Sequence, residues 1–113
     1  MPRSAPAYLG EFEYLVLLAA ARLGTDAYAL AIARELEAQA GRETKRSALY
    51  TTLDRLEHKG LIRWEIATGS AARDRLPRRI YSLTPKGKAS VRAAYQAMSQ
   101  MELGLDDLLR GES

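Results

Sequence analysis

Apolar residues recur every three or four positions near the start of the chain, at Phe12, Leu15, Val16, Ala19 and Leu23. That spacing places them on one face of a helix and predicts α-helix over residues 9–23, with Gly24 as its stop. Asp26 reads as the N-cap of a second helix that runs to residue 40 and ends at Gly41. Its expected apolar face is Leu30, Ala33, Leu36 and Ala40, with Ile32 at the margin. A third helix is predicted over residues 46–59, closed by Gly60. On its wheel Leu49, Leu53 and Leu56 fall within a narrow arc and dock the helix on the core. The opposite face carries Ser47, Thr51 and His58, with Asp54 and Arg55 at its sides and Tyr50 on the flank.

The period then changes. Residues 61–67, LIRWEIA, are rich in β-branched and aromatic side chains and predict a strand. Residues 78–83, RRIYSL, predict the returning strand, and residues 68–77 form the hairpin tip. Thr84 followed by Pro85 is a helix start, a hydroxyl cap and then a proline whose missing N–H costs nothing. The last helix is predicted over residues 85–109. The order gives a mainly α fold of the α+β winged helix-turn-helix type. It has a three-helix core, a two-stranded β wing and a long C-terminal helix.

With 113 residues, of which 47% are hydrophobic, the chain suits one modest globular unit. It has no cysteine, which excludes disulfides and thiolate metal sites and fits a reducing cytoplasm. The apolar run at residues 15–21 is too short to span a bilayer and follows Glu11 and Glu13, so no membrane partner is expected.

The net charge of +3 conceals an uneven distribution. Residues 42–92 hold thirteen Lys or Arg against five Asp or Glu, while the rest of the chain is acidic. Basic charge concentrated on one segment suggests a polyanionic partner. Lys45, Arg46, Ser47, Tyr50, Thr51 and Arg55 give the third helix hydroxyls, a phenol and bases, chiefly at its amino end. That end of a recognition helix meets base edges, and the helix dipole adds positive potential there. An ordinary amphipathic helix with a wet face would share this pattern. The wing shifts the balance toward nucleic acid: Arg73, Arg75, Arg78 and Arg79 lie within seven residues, with Asp74 the sole acid among them. A tip cannot bury four guanidinium groups, and arginine there suits phosphate contact or a narrow minor groove.

In order and spacing, several segments resemble the PadR-like winged-helix transcriptional regulators, in their short form with a single C-terminal helix. They are LGEFEYLVLLAAARLG, DAYALAIARELEAQAGR, SALYTTLDRLEHKGLI and RRIYSLTPKG, spanning residues 9–95. The resemblance implies a repressor that binds double-stranded DNA as a homodimer and, in some members, responds to small aromatic or lipophilic molecules. It places the recognition helix at residues 45–59 and the wing at residues 68–79. Many members carry glycine where Ser47 stands, threonine or alanine at Ala48, glycine at Ala27, and a glycine-rich wing in place of DRLPRR.

In the last helix Val91, Tyr95, Met98, Met101, Leu105 and Leu108 follow heptad-like spacing. The core is already filled by the other elements, so this stripe is expected to form the dimer interface. A two-fold dimer would present two recognition helices to successive major grooves and favour a palindromic site. On this reading residues 1–84 are the DNA-binding domain and residues 85–113 the dimerisation helix.

His58 has no second imidazole or thiolate near it in sequence, and no nucleophile–base pair or glycine-rich phosphate loop is visible. No enzyme activity, metal or cofactor is expected. Trp64 alternates with Ile62 and Ile66 and is expected to pack between the wing sheet and a helix. The reading is a cytoplasmic, sequence-specific DNA-binding repressor. The alternative is a winged-helix module for protein–protein contact that has no operator.

Overall fold

The computed structural model describes residues 8–67 and 77–111. Its elements, in chain order, are α1 (Glu11–Leu23), a 3-10 turn (Gly24–Asp26), α2 (Ala29–Ala40), α3 (Arg46–His58), β1 (Ile62–Ala67), β2 (Arg78–Leu83), α4 (Pro85–Glu102) and a short α5 (Asp106–Leu109). The two strands pair antiparallel, with Ile62 opposite Leu83 and Trp64 opposite Tyr81. Residues 68–76 of the predicted tip, including Arg73 and Arg75, lie outside the described residues.

α1 runs through the middle of the domain. Val16, Leu17, Ala19 and Ala20 are buried, and Phe12, Leu15 and Leu23 pack at the edge of the same core. Three lower leucines of α3, Leu49, Leu53 and Leu56, close the core from the other side as expected. Leu61, Ile62 and Tyr81 seal it where the sheet begins.

Three expectations need correction. Asp26 does not cap α2. It closes the 3-10 turn, and Ala27 follows in a non-helical conformation with its side chain fully buried. The Ala27 carbonyl accepts the Tyr81 N–H at 2.8 Å, so this segment is held against β2 and the helix starts later, with Tyr28 as N-cap.

The apolar face of α2 is also rotated from the predicted one. Ile32 and Leu36 are its buried residues, with Ala29 and Ala33 packed beside them, whereas Leu30 and Ala40 are exposed. Leu30 lies about 160° around the helix from Ile32, so the two cannot share the core-facing stripe. The larger buried pair Ile32 and Leu36 sets the orientation.

The last helix breaks. α4 ends at Glu102, Gly104 takes a left-handed φ of 83°, and only one further turn of helix follows. Leu105 and Leu108 therefore do not continue the face formed by Val91, Tyr95, Met98 and Met101.

The start of α4 is locked to the core by the Thr84-Pro85-Lys86-Gly87 sequence. Thr84 Oγ1 accepts the Gly87 N–H at 3.0 Å and donates to the Gly60 carbonyl at 2.6 Å. Its N–H donates to the Leu61 carbonyl at 3.1 Å. Gly87 then passes so close to Leu61 that an added Cβ would stand 2.0 Å from the Leu61 carbonyl oxygen. Gly60, with φ of 79°, supplies the sharp turn that makes this approach possible.

Candidate nucleic-acid interface

Docking by three leucines turns the amino-terminal half of α3 outward. Lys45, Arg46, Ser47, Ala48, Tyr50 and Thr51 are all exposed, while Thr52 on the inner side is buried. Lys45 occupies the N-cap position and no side chain caps the helix there. The first-turn N–H groups therefore face outward beside Lys45 and Arg46, with the positive end of the helix dipole.

Toward its carboxy end α3 is engaged by its own protein. The Arg55 guanidinium lies 3.7 Å from Glu13, so this predicted DNA-contacting residue faces an internal carboxylate. Lys59 Nζ donates to both Glu13 oxygens, at 3.0 and 2.9 Å, and to the Tyr8 carbonyl at 3.3 Å. Glu57 accepts the Trp64 indole N–H at 3.1 Å. His58 stays exposed. Glu13 is buried, which alone would raise its pKa. The Gly10 N–H, the Lys59 ammonium and the Arg55 guanidinium outweigh that and hold it below the ordinary value of 4.5.

The base of the wing is also organised by stacking. Arg78 and Arg79 sit in β2, the predicted returning strand. Arg78 lies over the Tyr28 ring and Arg79 over the Trp64 ring, each 4.1 Å from the ring centroid. Trp64 thus packs between the sheet and α3 as expected, held by Glu57 on its edge and Arg79 on its face.

Between the start of α2, the start of α3 and the base of β2 lies a cleft of about 740 Å3. Tyr28, Thr44, Arg46, Tyr50, Arg79 and Tyr81 contribute to its walls, and Ala29, Leu30, Ala33, Leu49 and Pro77 supply apolar surface. Tyr28, Tyr81 and Glu13 were not singled out from sequence. Their roles depend on partners 46 or more residues away, as with Glu13 and Lys59, or on a cation stacked across elements. No local pattern signals either arrangement.

The predicted dimerisation residues divide. Val91 packs partly on the core, whereas Tyr95, Met98 and Met101 are exposed along α4, and Leu105 and Leu108 are exposed beyond its end. Among the described residues no helix is long and apolar enough to cross a membrane.

A model of the transcriptional regulator PadR-like family matches residues 16–93. The chain belongs to this family. The PadR-like match takes in α3, both strands and the Thr84–Gly87 lock, together with most of α1. Solved PadR-family structures share the winged-helix fold. A regulator from Clostridium difficile R20291 is 23% identical with a TM-score of 0.68, over 85% of this chain and 98% of that one. One from Eggerthella lenta DSM 2243 is 28% identical with a TM-score of 0.63, over 88% of this chain and 86% of that one. Bacillus subtilis PadR, solved in complex with operator DNA, is 21% identical with a TM-score of 0.59, over 74% of this chain and 47% of that one. No match is found among curated proteins. The PadR-like family is one of transcriptional regulators rather than of enzymes.

Proposed function

We propose that this PadR-like regulator is a cytoplasmic, sequence-specific DNA-binding repressor that occupies a palindromic operator as a homodimer. Residues 1–84 carry the DNA-binding unit, and residues 85–113 join two copies. The observation that carries the reading is the outward-facing amino end of α3. It presents Lys45, Arg46, Ser47, Tyr50 and Thr51 on a helix whose opposite side is anchored by buried leucines. Bases and hydroxyls on a rigid helix end suit major-groove edges and flanking phosphates. Arg78 and Arg79 in β2, with Arg73 and Arg75 in the sequence between the strands, add further basic charge.

The exposed stripe of Tyr95, Met98 and Met101 supports the dimer, because a contiguous apolar face on a helix calls for a partner. The two-fold symmetry of such a dimer would match a palindrome.

Selection of bound sequences from a random duplex pool, followed by titration of the selected site by fluorescence anisotropy, tests the reading. The expected result is an inverted repeat bound as a dimer, with affinity that falls steeply with salt. Replacing Ser47 or Thr51 by alanine should alter the selected sequence. Replacing the four wing arginines by alanine should weaken all duplexes alike. No enriched sequence, with stable binding to a protein partner instead, would favour the protein–protein module.

A further inference from the structure

The hold on Arg79 reaches across the sheet to α3. Trp64 pairs with Tyr81, and Arg79 stands two residues before Tyr81, so strand alternation puts it on the same face, diagonal to Trp64. Its guanidinium lies over the indole, 4.1 Å from the ring centroid. Burial pushes the Tyr81 phenol upward, and the hydrogen bond and charge of Arg79 work against that rise. Arg79 therefore has two neighbours on this face, the Trp64 ring and the Tyr81 side chain.

Trp64 is fixed in turn from the side of α3. Its indole N–H donates to the Glu57 carboxylate at 3.1 Å, and its ring packs partly against the core. Glu57 immediately follows Leu56, one of the buried leucines that seat α3, so the carboxylate moves only as the helix moves. The N–H lies in the plane of the ring, whereas the guanidinium sits above it. The two contacts use different parts of the indole and are made at once. A chain of contacts thus runs from α3 through Trp64 to β2.

Stacking leaves the cation usable. A guanidinium meets a ring with its flat face, while its N–H donors lie in its own plane and point outward. Arg79 remains exposed despite the stack. It also borders the cleft to which Arg46 and Tyr50, from the outward half of α3, contribute. Its donors are thereby set beside those residues instead of sweeping through the many rotamers of an unstacked arginine.

We propose that Trp64 is a positioning residue for DNA binding: gripped by Glu57, it fixes the Arg79 guanidinium in register with the outward end of α3, so that helix and wing base meet the duplex as one surface. The inference rests on the DNA-binding reading above and adds the residue that sets the geometry between the two elements. Trp64 acts through Arg79 and touches no nucleotide. Its contribution is the ordering of a long side chain before DNA arrives, a gain of about three- to tenfold in affinity.

The test uses the full chain and its selected operator, with fluorescence anisotropy of a labelled duplex and affinities referred to the folded fraction measured by circular dichroism. Arg79→Ala should weaken binding, and Trp64→Leu should weaken it by about three- to tenfold. In the Arg79→Ala background, Trp64→Leu should cause little further loss, because the residue it positions is gone. Trp64→Phe, which keeps an aromatic face, should recover part of the affinity that Trp64→Leu loses. Glu57 is exposed, so its variants keep the fold even where Trp64→Leu does not. Removing an acid near a DNA-binding surface ordinarily strengthens binding. Glu57→Ala should instead weaken it, and Glu57→Gln should bind more tightly than Glu57→Ala, since its amide oxygen still accepts the indole N–H.

If Trp64→Leu weakened binding by the same factor with and without Arg79, its role would be structural and the inference would be overturned. Tighter binding by Glu57→Ala, or an Arg79→Ala variant that binds as well as the wild type, would overturn it too, with operator binding by the wild type left standing. If the wild type bound no duplex at all, the DNA-binding reading and the positioning role would fall together.

Discussion

Glu13 and Lys59 lie forty-six residues apart in the chain, yet Lys59 Nζ sits 2.9 Å from Glu13 Oε2. Glu13 belongs to the first turns of α1, and Lys59 directly follows α3. The pair ties the carboxy end of α3 to α1, with the Arg55 guanidinium 3.7 Å from Glu13 as a second cation.

Glu13→Gln is therefore expected to lower stability by about 1–3 kcal/mol, since the carboxylate is buried and accepts charge-assisted bonds. The pH dependence follows from the sign of the shift. The Glu13 pKa is depressed on folding, so its contribution is present above the ordinary value of 4.5 and is lost as pH falls through the lower folded value. Urea denaturation between neutral pH and the acid limb should show a loss below pH 4.5 in the wild type that is smaller in Glu13→Gln. Parallel curves for the two proteins would contradict the assignment.

Gly87→Ala should be among the most damaging single substitutions. Its Cβ would fall 2.0 Å from the Leu61 carbonyl oxygen and 3.0 Å from the Leu61 carbonyl carbon, both backbone atoms that cannot rotate aside. The start of α4 must then separate from the turn before β1, at a cost of about 3 kcal/mol or more. Chemical denaturation of the variant measures this directly. A loss under about 1 kcal/mol would show that the approach is not tight.

Arg79→Ala should destabilise the wing through lost stacking as well as lost charge. The guanidinium lies over Trp64, and such a contact contributes about 0.5–1 kcal/mol at an exposed site. Trp64 is the only tryptophan in the chain, so its fluorescence reports the site without interference. The variant should show altered emission in the native state, whereas Ser82→Ala, at an exposed position in the same strand, should not.

If the proposed homodimer forms through α4, paired substitution of Met98 and Met101 by lysine should weaken self-association by at least about tenfold, because charge placed in the exposed apolar stripe removes its main driving force. Sedimentation at several concentrations distinguishes monomer from dimer. Both side chains are exposed in the single chain, so the monomer fold should be retained. An unchanged association constant would move the interface elsewhere.

Much of the fold was legible because it rests on short-range signals. The three leucines of α3 share an arc, the strand period is visible at residues 62–66, and Thr84-Pro85 marks a helix start that the structure keeps. The candidate site was legible at α3, where basic and hydroxyl residues are contiguous. Elsewhere it was not. Arg55, at the side of the wheel, lies 3.7 Å from Glu13 of α1, and Arg78 and Arg79, in the predicted returning strand, stack over Tyr28 and Trp64, ring partners that no local pattern identifies. Leu30 and Ile32 exchanged roles because either can lead an apolar stripe until a neighbouring helix chooses between them.

Periodicity, caps and the placement of basic residues by themselves determined the winged-helix order and the outward amino end of α3. Each is a property of residues within a few turns of one another. Tertiary structure decided what required distant partners to meet: the Lys59–Glu13 tie, the Ala27–Tyr81 bond that delays α2, the contact of Gly87 with Leu61, and the cleft between α2, α3 and β2. Such contacts form only when the whole core closes, and their energies depend on burial that no local pattern encodes.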